Sequence, residues 1–183
     1  MIPSMSNRQL TPVSYLVLGL VERAGEATPY ALKQAVATSV GYFWSFSHSQ
    51  LYLEAAGLAA AGLLDEEREE GGRRRRSYRL TPAGRQALQA WLRKPTEVQP
   101  EVRDLGLLKL FFGAGVSPAD VAALARAQAE GHRDRLALYE RIQGGIPDDP
   151  EWPHARATLR MGLLMERAFI SFWDDVAARP PGT

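Results

Sequence analysis

The 183 residues carry 22 basic and 21 acidic side chains, a net charge of +1, and no cysteine. Without cysteine there are no disulfide scaffolds, thiolate zinc sites, iron–sulfur clusters or cysteine nucleophiles. Runs free of both charged and strongly polar side chains, such as 13–21 and 55–64, reach only about ten residues, half of the ~20 that a membrane-spanning helix needs.

A hydrophobic content of 45% with 23% charged residues is ordinary for a soluble globular chain. Only Arg8 precedes the first apolar run and no small-x-small cleavage site follows it, so a cytoplasmic protein is expected. The charge is unevenly spread. Residues 1–95 hold 12 basic and 8 acidic side chains, and residues 96–183 hold 10 and 13. The first half is therefore net +4 and the second net −3, so the small total does not exclude nucleic-acid binding.

Residues 1–10 read as a polar, mobile arm. Thr11-Pro12 is a cap followed by proline at the first helical position. Val13, Leu16, Val17, Leu20 and Val21 follow at helical spacing, up to a stop at Gly25. Thr28-Pro29 repeats the signal for a second helix with Tyr30, Leu32, Ala35 and Val36. Ser47 to Gln50 fits a capping box and opens a third helix, with Leu51, Ala55 and Leu58 on its core face and Gly62 as its left-handed terminator.

Leu64–Glu70 and Arg73–Leu80 flank Gly71-Gly72, which predicts a β-hairpin with a two-residue turn. Such a turn sets Glu70 opposite Arg73, Glu69 opposite Arg74 and Glu67 opposite Arg76. Thr81-Pro82 opens a fourth helix through Leu92. Residues 94–101 read as a linker. Beyond them come an apolar helix over 102–112, a long polar helix from Ser117-Pro118 to about Gln143, a proline-rich loop over 146–153, and a last helix from about His154 to Ala178.

Three helices, a hairpin and a fourth helix follow the order of a winged helix-turn-helix. The expected fold class is mainly α, with a small β wing. The expected domains are an arm over 1–10, a winged helix-turn-helix over 11–93, the linker, and an all-helical dimerisation domain over 102–178.

Ser47, Ser49 and Gln50 stand at the start of the presumptive recognition helix, with Ser49, Gln50, Leu53 and Glu54 away from its core face. Serine can bind phosphate there, and glutamine can pair bidentately with adenine. The alternative is that Gln50 serves the capping box and Tyr52 packs against the wing. Arg73, Arg74, Arg75 and Arg76 form a basic wing suited to phosphate. Against this stands pairing with the glutamates across the hairpin.

In the last helix, Met161, Leu164, Met165, Ala168, Phe169, Phe172, Trp173 and Val176 make a face wider than one neighbouring helix covers. A homodimer interface accounts for it. An internal helical core or a small-molecule pocket are the other readings. Glu130, His132 and Asp134 read as alternating charges on a solvated helix rather than a metal site. No catalytic constellation stands out, so an enzyme is not expected, nor is a cofactor.

Several blocks resemble those of PadR-family transcriptional regulators. They are Pro12–Leu20, Gly41-Tyr42-Phe43-Trp44, Ser47–Tyr52, Tyr78–Gly84, Leu107–Phe112 and Gly162–Ala168. The resemblance spans nearly the whole chain. It implies a dimeric repressor of its own or neighbouring genes that binds a double-stranded DNA operator, with a C-terminal helical domain for dimerisation and often for sensing a small-molecule effector. Ser49, Gln50 and Tyr52 match the DNA-facing block, and Arg73–Arg76 match the basic wing. One departure is plain. Where the family carries arginine or lysine after the tyrosine, this helix reads Leu53-Glu54-Ala55-Ala56-Gly57. A dimer with weakened DNA recognition, serving as a ligand- or protein-binding module, is the alternative.

Overall fold

A computed structural model describes residues 8–44, 47–68, 76–98, 101–145 and 153–182. The chain divides into two compact units, Met1–Val98 and Gln99–Thr183.

The first unit contains α1 (Pro12–Ala24), β1 (Glu26–Ala27), α2 (Pro29–Ala37), a short 3-10 turn (Val40–Tyr42), α3 (His48–Ala60), β2 (Leu64–Arg68), β3 (Arg76–Leu80) and α4 (Pro82–Arg93). Thr11, Thr28 and Thr81 cap α1, α2 and α4, each accepting a backbone N–H three residues on. Each cap is followed by proline, which has no N–H to leave unpaired at the first helical position. The three helix starts are thus as the sequence predicts.

Val17, Leu18, Leu20 and Val21 of α1, Leu32 and Val36 of α2, and Leu51, Ala55 and Leu58 of α3 share one core with Leu64, Tyr78 and Leu88. Burial of each large side chain contributes about 1.5–3 kcal/mol. The sheet is antiparallel, in the order β1-β3-β2. The two-residue β1 is too short to show in the sequence. Glu26 pairs with Arg79 in its ladder, and Arg79 Nε donates to the Glu26 carboxylate at 3.0 Å.

One tight junction sets the angle between α3, the sheet and α4. Gly62 adopts a φ of 74° and ends α3. Thr81 Oγ1 donates to the Gly62 carbonyl at 2.8 Å while accepting the Gly84 N–H at 3.0 Å. A Cβ on Gly84 would stand 2.0 Å from the Leu63 carbonyl oxygen. That neighbour is backbone, so the junction would have to open. Gly84→Ala is expected to lower stability by about 1–3 kcal/mol, despite alanine's better helix propensity. Urea unfolding measures it.

The second unit contains α5 (Leu105–Phe111), a 3-10 turn (Gly113–Gly115), α6 (Pro118–Gly145) and α7 (Pro153–Ala178). The helix at 105 starts three residues later than expected because Asp104 caps it, accepting the Leu107 N–H at 3.1 Å. Val121, Ala125 and Ala129 of α6 meet Trp173 and Val176 of α7, with Leu107, Leu110 and Phe169 packed against them. The small alanines let the large indole lie between the helices. None of the helices among the described residues is long and apolar enough to cross a membrane.

Candidate nucleic-acid interface

The start of α3 is built as its sequence predicts. The Gln50 N–H donates to Ser47 Oγ at 3.3 Å, and the Ser47 N–H donates to Gln50 Oε1 at 3.2 Å. The capping box is therefore closed, and Gln50 Oε1 is engaged within it. Its Nε2 amide remains the group able to reach a base edge. Ser47, Ser49 and Gln50 are exposed, and Ser47 Oγ lies 3.1 Å from Ser49 Oγ. Three hydroxyl and amide groups thus stand in solvent at one helix N-terminus, where the backbone dipole favours anions.

An open groove runs beside this end, lined by Thr28, Pro29 and Tyr30 from α2, Tyr52 from α3 and Arg76 from β3. It gathers the second helix, the recognition helix and the wing on one face. Tyr52 is 39% exposed on this face, in the groove it shares with Arg76 of the wing. Tyr30 is 67% exposed, and its hydroxyl accepts from Gln34 Nε2 at 2.8 Å. The Tyr30 proton is left to donate outward. The sequence reading grouped Tyr30 with the apolar positions of the second helix rather than with the candidate DNA contacts, and the structure turns it to solvent.

The wing register departs from expectation. Arg68 stands opposite Arg76 and Glu67 opposite Ser77, one residue away from the Glu67–Arg76 pairing of a two-residue turn. Burial of Leu64 and Tyr78 on the core face fixes this alignment, since a one-residue slip would turn Tyr78 to solvent. Two like charges therefore face each other, and Glu66 bridges them. It takes Arg68 Nε at 2.9 Å and lies 3.4 Å from Arg76 Nε. The Arg68 hydrogen bond holds the Glu66 carboxyl below its ordinary pKa, against a smaller opposing push from burial. Arg76 keeps 47% of its side chain exposed while lining the groove. Arg73, Arg74 and Arg75, with Glu69, Glu70 and the Gly71-Gly72 turn, lie outside the described residues.

Glu54 does not stand free on the outer face of α3. Its carboxylate accepts from Ser14 Oγ at 2.6 Å and from Arg8 Nη2 at 2.7 Å. The polar arm is thus engaged by residue 8, and Leu10 packs against the core.

In the second unit, Met161, Leu164, Met165, Ala168 and Phe172 are exposed on α7. Trp173 and Val176 are not part of that face. Trp173 is fully buried and Val176 nearly so, both against α6, because the apolar stripe wraps far enough round α7 to serve two sides. Phe169 is half-buried and stacks on His132 at 4.5 Å. His132 is not solvated either. It is buried, with Nδ1 2.6 Å from Glu166 Oε2, and Arg135 lies 3.6 Å from the same carboxylate.

The first unit has the winged-helix fold, with a capped polar helix end, two exposed tyrosines and a wing arginine as its candidate DNA face, and the second unit is helical. Residues 17–90 match the PadR-like family of transcriptional regulators, and residues 102–179 match the virulence activator alpha C-terminal family. A crystal structure of Bacillus subtilis PadR in complex with operator DNA is similar, with 26% identity and a TM-score of 0.82 over 92% of this chain and 98% of that one. The same protein in complex with p-coumaric acid gives 25% identity and a TM-score of 0.76, covering 93% and 97%. That relative is described as a negative transcriptional regulator. The Vibrio cholerae virulence activator AphA is 30% identical, with a TM-score of 0.70 over 91% of this chain and 96% of that one. The chain belongs to the PadR-like family of transcriptional regulators, and it is a DNA-binding regulator with a winged-helix fold.

Proposed function

We propose that this chain is a homodimeric repressor of its own or adjacent genes, released from its operator by a small-molecule effector. The observation that carries the reading is the groove that unites Tyr30, Tyr52 and Arg76 beside the exposed Ser47, Ser49 and Gln50. The α3 start would enter the major groove, and the wing, with Arg73–Arg76, would hold flanking phosphate. Two copies joined through the exposed α7 face would address two half-sites about one DNA turn apart. Repression and effector release are supported by the likeness to B. subtilis PadR, a negative regulator crystallised with operator DNA and with p-coumaric acid. A phenolic acid is therefore the first effector class to test.

A second reading, a dimer with weakened DNA recognition, is favoured by one observation. No lysine or arginine occurs between His48 and Ala60. One experiment separates the two. Anisotropy titration with duplex from the region upstream of its own gene should show at least ~1,000-fold preference over unrelated duplex. Replacing both Gln50 and Tyr52 by alanine should remove most of that preference, at about 1–3 kcal/mol per lost base contact. Equal affinity for both duplexes would favour the second reading.

A further inference from the structure

Glu54 and Gly57 look like defects in a helix that meets DNA. One adds negative charge, and the other weakens the helix. The structure gives both a use. A Cβ on Gly57 would lie 1.8 Å from Arg8 Nη1 and 2.8 Å from its Cζ. The guanidinium thus lies across α3 over Gly57, and a side chain there would displace this flexible end of Arg8. From there Nη2 reaches Glu54 Oε2 at 2.7 Å. The other carboxylate oxygen accepts from Ser14 Oγ at 2.6 Å, and Ser14 Oγ in turn accepts the Thr11 N–H at 2.8 Å. Ser14 is fully buried.

This chain of bonds joins three pieces: the arm before α1, the capped start of α1, and the middle of α3. Leu51, Ala55 and Leu58 are buried on the core face of α3, with Ala59 partly buried beside them, and this face sets the rotation of the helix only coarsely. Hydrogen bonds are directional. Glu54 lies one helical turn beyond Gln50 and two residues beyond Tyr52. Fixing its carboxylate narrows the rotation that the core face leaves to α3, and so the direction in which Ser49, Gln50 and Tyr52 face. The same pairing neutralises the one acid of α3.

We infer that Arg8 is a positioning residue for DNA reading, acting through Glu54 from its place over Gly57 rather than by touching phosphate. The inference rests on the reading of α3 as the recognition helix. The test uses the full chain with Arg8→Ala, Gly57→Ala, and Arg8→Ala combined with Glu54→Gln. Affinity for the upstream duplex is measured over a salt series, and amide hydrogen exchange of α3 is followed without DNA.

Arg8→Ala should weaken binding about ten-fold, the scale of one charge-assisted hydrogen bond. The salt slope should stay unchanged, and α3 should exchange faster. Gly57→Ala, which crowds the flexible end of Arg8 rather than backbone, should give a smaller loss of affinity in the same direction, although alanine is the better helix former. Glu54→Gln should restore part of the affinity lost in Arg8→Ala, because the amide leaves no uncompensated charge. A salt slope lower by about one would make Arg8 a phosphate contact and overturn the inference. Unchanged exchange in both single variants would overturn it too. Faster exchange with unchanged affinity would instead overturn α3 as the recognition helix, and the inference with it.

Discussion

Leu164→Asp combined with Met165→Asp is expected to turn a dimer into monomers and to lower operator affinity by roughly 100- to 10,000-fold. The second half-site of a dimer binds at the high effective concentration set by the first, and that gain disappears when the copies separate. Both side chains are about half exposed in the single chain and neither belongs to the core that Trp173 and Val176 form with α6, so that core is retained. Monomer mass in sedimentation, with the helix content of the parent retained in circular dichroism and weakened binding, is the expected combination. A dimer that persists would move the interface off this face. The exposed Leu105, Leu108, Phe111 and Phe112 of the α5 segment would then be the surface to test next.

Trp173→Ala is expected to lower the stability of the second unit by about 3–5 kcal/mol, the cost of emptying a fully buried indole site. The chemistry of that site adds a finer expectation. Trp173 Nε1 is buried with no hydrogen-bond partner among the described residues. An unpaired buried donor costs roughly 1–3 kcal/mol, so Trp173→Phe removes a penalty along with part of the packing. Phenylalanine should therefore come close to the parent stability, whereas alanine should not. Calorimetric unfolding of the three proteins gives the comparison. Similar large losses in both variants would mean that the indole nitrogen is satisfied.

Helix starts were the most legible part of the sequence. Thr-Pro at 11, 28 and 81 names the cap and the first helical residue directly, and Ser47 with Gln50 names its own hydrogen bonds. The wing was legible as a hairpin but not in its register. Charge pairing across an assumed turn gave one alignment, and burial of Tyr78 fixed another. Cross-strand ion pairs contribute only tenths of a kcal/mol, so the core face decides.

The last helix was legible as apolar over a wide arc, and α6 leaves its Met161, Leu164, Met165 and Phe172 exposed in the single chain. Which residues lay on which side was not, because both sides are apolar. Trp173 and Val176 went inward, where Ala125 and Ala129 leave room. The Arg8–Glu54 and His132–Glu166 contacts link residues 46 and 34 positions apart. No local pattern carries such pairs, since each partner taken alone looks like an ordinary solvated charge.

At the candidate DNA face, the exposure of Ser49 and Gln50 was legible from their place at the helix start, and Tyr52 entered through the family resemblance. Tyr30 was not legible there, because only the packing of α2 against α3 and β3 brings it into the same groove.

The most direct test of the DNA face is the salt dependence of operator binding in Arg76→Ala compared with the parent chain. Arg76 is the wing cation seen in the groove with Tyr30 and Tyr52, and Glu66 holds it only partly, at 3.4 Å. If this face meets phosphate, the slope of log affinity against log salt should fall by about one. An identical slope, with the parent still binding its upstream duplex specifically, would contradict the wing and groove as the DNA-binding face.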